Sequence, residues 1–204
     1  SKLHEDTQAQ PSRMGEVLRD RQLLNLDFGI FALHAAQMAL FTALPFAMTQ
    51  LGLEKIQHWK VYLPSTIAGL VIMIPLIIIG ETRNKLKQVF ILGIACIAAA
   101  QIGLLFGMHS IWLITAYLVV YFIGFNVLEA SLPSMVSKIA PADLKGTAMG
   151  VYNTMQSVGL FVGGASGGWL FQQYGFAGVF TFCSVLMLLW LVIAVLAPAP
   201  KPVK

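Results

Sequence analysis

Two acids, Glu129 and Asp27, fall inside long apolar stretches of the chain. A charge within lipid is expensive, so an ionisable residue placed there is a candidate for function. A carboxyl can take up and release a proton, and both acids are read as proton-coupling candidates. Glu129 lies nine residues before Lys138, roughly 13 Å along a helix rising 1.5 Å per residue. Asp27 lies six residues after Arg21 and is shallower. His34 shares a helical face with Asp27, and Gln37 follows one turn on. Asn126 sits one turn before Glu129. Tyr152, Asn153, Gln156 and Ser157 make a third polar patch. Together these groups could line a wet cavity that binds a solute and exchanges protons. The alternative is structural: Asp27 is an interfacial acid paired with Arg21 or another basic loop residue, and His34 and Gln37 bridge helices by hydrogen bonds.

The elements that must position them are apolar stretches at about 23–51, 59–80, 88–107, 111–135, 147–172 and 176–197. Each approaches the roughly 20 residues that span a 30 Å hydrocarbon core, which predicts an all-α protein of six transmembrane helices in a lipid bilayer. Hydrophobic residues are 57% of the chain and charged ones 11%, against about 25% charged in a soluble domain. Lys and Arg split 11 to 2 between the two sides of this topology, with only Lys55 and Lys60 on the poorer one. Positive charge stays with the cytoplasm, so both termini are expected there. Trp59, Trp112 and Trp169 fall at the opposite ends, where indole favours the interface, whereas Trp190 is expected inside the last helix. The net charge of +4 is therefore read as topology, and with no continuous basic face no nucleic-acid partner is expected.

Residues 1–22 are polar and charged, so no signal peptide is expected before the first helix; they read as a cytoplasmic linker. Within it, residues 12–22 place Met14, Val17 and Leu18 among arginines, a pattern for a short interfacial amphipathic helix, with a disordered lead-in as the alternative. The start on Ser1 suggests that something once preceded this segment, and residues 198–204 read as a cytoplasmic tail. Cys96 and Cys183 are expected to be packing thiols without metal spacing. Gly159, Gly163 and Gly167 repeat every fourth residue, as do Gly164 and Gly168, a spacing that lets helix backbones approach closely. No phosphate-loop, zinc-protease or nucleophile-elbow pattern occurs, so neither an enzyme nor a bound cofactor is expected.

Several stretches are familiar. His58 to Pro64 opens the second segment, Phe125 to Ser134 closes the fourth, and Lys145 to Thr154 opens the fifth, followed by Gly163 to Leu170. From about residue 20 to 197 these resemble the C-terminal half of a major facilitator superfamily transporter, in its YajR-like bacterial branch. The resemblance implies two inverted three-helix repeats in this half, facing an N-terminal six-helix half across a central cavity. It implies that the first and fourth segments line that cavity, with Asp27, His34, Gln37, Asn126 and Glu129, while Tyr152 to Gln156 frame it. It also implies residence in the bacterial inner membrane. In the family, the loop after the second helix latches the cytoplasmic side, which makes Glu81 and Arg83 latch candidates; here Gly80 to Lys87 keeps the basic run but lacks the Asp-Arg pair.

The leading expectation is half of a secondary transporter for a small organic solute, a proton-coupled efflux protein driven by the proton gradient. The alternatives are a self-assembling homodimeric transporter, a membrane sensor or scaffold, and an inactive fragment of a split gene.

Overall fold

A computed structural model describes residues 9–198. Residues 1–8 of the expected linker and 199–204 of the expected tail, with Lys2, Lys201 and Lys204, lie outside the described residues. The helices are α1 (Met14–Val17), α2 (Arg21–Gln50), α3 (Trp59–Thr82), α4 (Leu86–Phe106), α5 (Ile111–Ile139) and α6 (Lys145–Leu196). Among the described residues, five helical spans are long and apolar enough to cross a membrane.

The stretches expected at 147–172 and 176–197 form one 52-residue helical run, α6. Straight, it would reach roughly 78 Å, more than twice a bilayer core. It is not straight. At Gly175 the backbone takes φ 62° and ψ −150°, a conformation that only glycine adopts readily. A Cβ built on Gly178 would stand 3.1 Å from the Leu170 carbonyl oxygen, whereas eight residues of straight helix cover about 12 Å. The chain therefore folds back at Gly175, and α2 registers the reversal. Gly159, Gly163 and Gly167 of the first arm meet Phe31, Ala35 and Ala39 in ascending order, so that arm runs parallel to α2. In the second arm the Cys183 thiol faces the Ala36 carbonyl and the Trp190 ring covers Gly29, in descending order.

Small residues set these approaches. A Cβ added at Gly163 would lie 2.6 Å from Ala35 Cα, and one at Gly167 2.7 Å from Ala39 Cα. Gly69 of α3 meets the Phe122 backbone of α5 in the same way, at 2.7 Å. The second glycine pair differs from expectation. A Cβ on Gly168 meets nothing within 4 Å, and one on Gly164 meets only the Met38 methyl at 3.9 Å. Neighbouring helix positions point about 100° apart, so the face carrying Gly163 and Gly167 turns Gly164 and Gly168 away from α2.

Trp190 is buried edge-on against Phe90, with ring centroids 5.9 Å apart, while Trp59, Trp112 and Trp169 stay uncovered. Ahead of α2, Pro11–Arg13 form a 3-10 turn that runs into the single α1 turn, and α2 starts separately at Arg21. The reason is Asp20. Its extended backbone ends the first turn, and its side chain accepts from the Gln22 and Leu23 amides at 2.8 and 3.2 Å, starting α2 afresh.

Candidate functional site

One polar cluster joins three helices. His34 of α2 is buried, and its Nδ1 lies 3.2 Å from the Ile30 carbonyl oxygen one turn earlier. A carbonyl only accepts, so Nδ1 carries the hydrogen. In the neutral ring Nε2 offers a lone pair, into which the Gln156 amide nitrogen of α6 can donate at 2.9 Å. This partner set fits the neutral Nδ1–H tautomer. Glu129 of α5 brings Oε1 to 3.3 Å from the same Nε2. That oxygen has no hydrogen-bond partner among the described residues. Nε2 and Oε1 are both acceptors in this state, and they can bond only when a proton lies between them. Phe125 closes one side, its ring edge-on to His34 at 6.0 Å, and Tyr121 stacks on Phe125 at 5.9 Å. The Glu129 side chain keeps 35% of its surface exposed against 6% for His34. The cluster thus sets a partly exposed carboxyl group against a buried imidazole.

Of the other sequence candidates, none joins this bonding set. Asp27 is buried, with Oδ2 unpartnered. The pairing with Arg21 raised as an alternative is not formed, and among the described residues Asp27 enters no ion pair. Six residues of helix rotate the two side chains about 120° apart, which turns Arg21 away from the buried face. Asn126 is half-buried with its amide nitrogen unpartnered, and Gln37 is half-buried. Tyr152 is buried, while Asn153 is exposed and accepts from the Ser157 hydroxyl through its carbonyl at 3.1 Å. Glu81 and Arg83 are both exposed and make no ion pair among the described residues.

Sequence reasoning missed a second polar junction. The Arg13 guanidinium binds both carboxylate oxygens of Glu16, at 2.7 and 2.8 Å, and also the carboxylate of Asp143. Gln10 adds its backbone N–H to Thr147 Oγ1 at 2.8 Å and its side-chain amide to the Asp143 carbonyl at 3.1 Å. The segment ahead of α2 is therefore strapped to the start of α6. The Arg13 guanidinium holds the Glu16 and Asp143 carboxyls below their ordinary range. The Arg13–Glu16 spacing was legible in the sequence as an i, i+3 pair; Asp143, 130 residues away, carried no local signal.

The Major Facilitator Superfamily profile matches residues 26–204. The chain is 40% identical over 179 residues to the inner membrane transport protein YajR of Escherichia coli strain K12, covering 88% of this chain and 39% of that protein. An uncharacterized transporter of Buchnera aphidicola is 28% identical over 193 residues, covering 91% and 48% respectively. The multidrug resistance protein MdtH of Cronobacter sakazakii is 24% identical over 192 residues, covering 87% and 46%. The chain spans less than half the length of each of these relatives.

Proposed function

The chain belongs to the major facilitator superfamily, and from that premise we propose that it is the second six-helix half of a secondary transporter. It carries a small organic solute by alternating access, coupled to protons through His34, Glu129 and Gln156. The six spans are α2 to α5 and the two arms of α6, grouped as two three-helix repeats around a midplane site. Its partners are the bilayer, the N-terminal half of the same transporter and the solute. The 11-to-2 split of basic residues supports both termini on the cytoplasmic side of the inner membrane.

The observation that carries this reading is the contested Nε2 of His34. Without an added proton, Nε2 accepts from Gln156 on α6. With a proton between Nε2 and Oε1, His34 bonds to Glu129 on α5, and the Gln156 amide must turn its oxygen inward or let go. A proton thus changes which helix α2 holds, and such a two-way contact is what alternating access needs. Asp27, buried and unpartnered nearer the start of α2, is the second proton candidate. Asn126, Gln37 and Tyr152 are proposed to face the solute.

Ethidium is the first probe, because one relative is named for multidrug resistance. In energised cells Glu129→Gln should remove the dependence of efflux on the pH gradient, since the neutral amide cannot deliver a proton to Nε2. Efflux that still collapses when nigericin dissipates the gradient would overturn the role given to Glu129.

A further inference from the structure

The lysine-rich end of the bundle carries a groove that the proton centre does not use. Ile77 and Glu81 of α3, Lys87 of α4, and Ser134, Met135 and Lys138 of α5 line it. We propose that this groove binds an anionic glycerophospholipid, with the phosphate at Lys138 and Ser134 and an acyl chain along Ile77 and Met135. The proposal rests on the reading that the chain spans a bilayer with this end in the cytoplasmic leaflet.

Ser134 and Lys138 stand four residues apart on one face of α5, and both are exposed. Neither enters a hydrogen bond or ion pair among the described residues, so a hydroxyl and an ammonium are free to meet the same phosphate. Lys87 is fixed by a different device. Its Nζ donates to the Ala197 carbonyl at the end of α6, at 2.6 Å, which holds a positive charge at the rim without a carboxylate to neutralise it. Arg83 and Lys85 extend the same field along the α3–α4 connection. Glu81 is the one carboxylate in the lining and opposes an anion, but the basic groups outnumber it. A free anion would need only the charges. Here the charges rim a wall of apolar side chains from three membrane helices, the combination that takes a headgroup and its chain together.

The test is native mass spectrometry of the full-length protein released from neutral detergent, titrated with dioleoyl phosphatidylglycerol, phosphatidylethanolamine or phosphatidylcholine. Phosphatidylglycerol should be retained in preference to phosphatidylcholine. Lys138→Gln should weaken it about fivefold, as expected for one basic residue near an anionic headgroup, and Lys138→Arg should restore it. Glu81→Gln should tighten it. Equal retention of the lipids, or an unchanged affinity in Lys138→Gln, would overturn the proposal. So would displacement of the lipid by millimolar inorganic phosphate, which would make this a simple anion site. Preference for phosphatidylethanolamine, lost in Glu81→Gln, would assign the groove to a zwitterionic headgroup instead. None of these readouts uses solute flux, so they stand or fall separately from the transport reading.

Discussion

Adding one methyl group at Gly163 should destabilise the protein, while the same change at Gly168 should not. A Cβ at Gly163 would sit 2.6 Å from Ala35 Cα, where ordinary contact begins near 3.4 Å. The obstacle is α2 backbone, which cannot rotate aside, so the helices must part by roughly 1 Å and the fits at Gly159 and Gly167 loosen together. Overpacking of this kind costs about 1–3 kcal/mol. Alanine regains about 0.5–1 kcal/mol of helix propensity over glycine. At Gly168 only that gain applies, because nothing lies within 4 Å. Propensity cancels in the difference between the two variants, which leaves the clash alone, about 1–3 kcal/mol. The reporter is Cys183, whose buried thiol faces the neighbouring Ala36 carbonyl of α2 and becomes reactive to a maleimide dye when the helices separate. With Cys96 replaced by Ala, Gly163→Ala should melt lower than Gly168→Ala by several degrees, at about 2–4 °C per kcal/mol. Coincident melting curves would refute the claim that the closeness of α2 and α6 depends on this glycine row.

Gln101 of α4 is fully buried with both amide atoms unpartnered, so Gln101→Leu should raise the midpoint in the same dye assay, relieving about 1–3 kcal/mol of desolvation; a lower midpoint would mean that the amide holds a partner. The strap at Arg13 should be insensitive to mild acid. Because Arg13 depresses the Glu16 and Asp143 carboxyls, its contribution is full above their ordinary range and is lost only as pH falls through the depressed values, below about pH 4. A spin label at Gly15, which has open space around it, should stay immobile from about pH 8 to 5 and be freed at any pH by Asp143→Arg. Release near pH 6 would contradict the assignment.

The helices were legible because apolar runs of membrane length leave the backbone no alternative in lipid. The partners within the site were legible only as separate faces. His34, Glu129 and Gln156 were each singled out, but that they share one imidazole nitrogen depends on how α2, α5 and α6 are rotated. Gly159, Gly163 and Gly167 carried that information in part, since their row faces α2; helical spacing put Gly164 and Gly168 on a different face, but nothing in the sequence said which of the two rows meets α2. Asp27 read as a proton-coupling candidate, with pairing to Arg21 or another basic loop residue as the alternative; the acid that caps α2 is Asp20, and Asp27 is turned into the bundle. The Gly175 reversal was legible as a gap between two apolar runs, but helical geometry continues to either side of it.

The glycine row and the cluster of His34, Glu129 and Gln156 are parts of one arrangement. Gln156 precedes Gly159 by one turn, so its 2.9 Å contact with His34 exists only at the helix spacing that glycine permits. Parting α2 and α6 by about 1 Å would stretch that contact past the range of a hydrogen bond. On the proposed reading the dependence runs both ways: a proton on Nε2 removes the acceptor that Gln156 uses, and the reason for α6 to stay close weakens. The size of the effect limits what the triad can do alone. Exchanging a neutral hydrogen bond for a charge-assisted one is worth about 1–2 kcal/mol, roughly a tenfold bias. Reversing a conformational equilibrium from 1:99 to 99:1 needs about 5.5 kcal/mol. On the proposed reading the remainder comes from groups that His34 does not touch, with the unpartnered Asp27 carboxyl and the solute itself as candidates. On the proposed reading the proton alone does not complete the switch, so proton leak in the absence of solute is expected to be low.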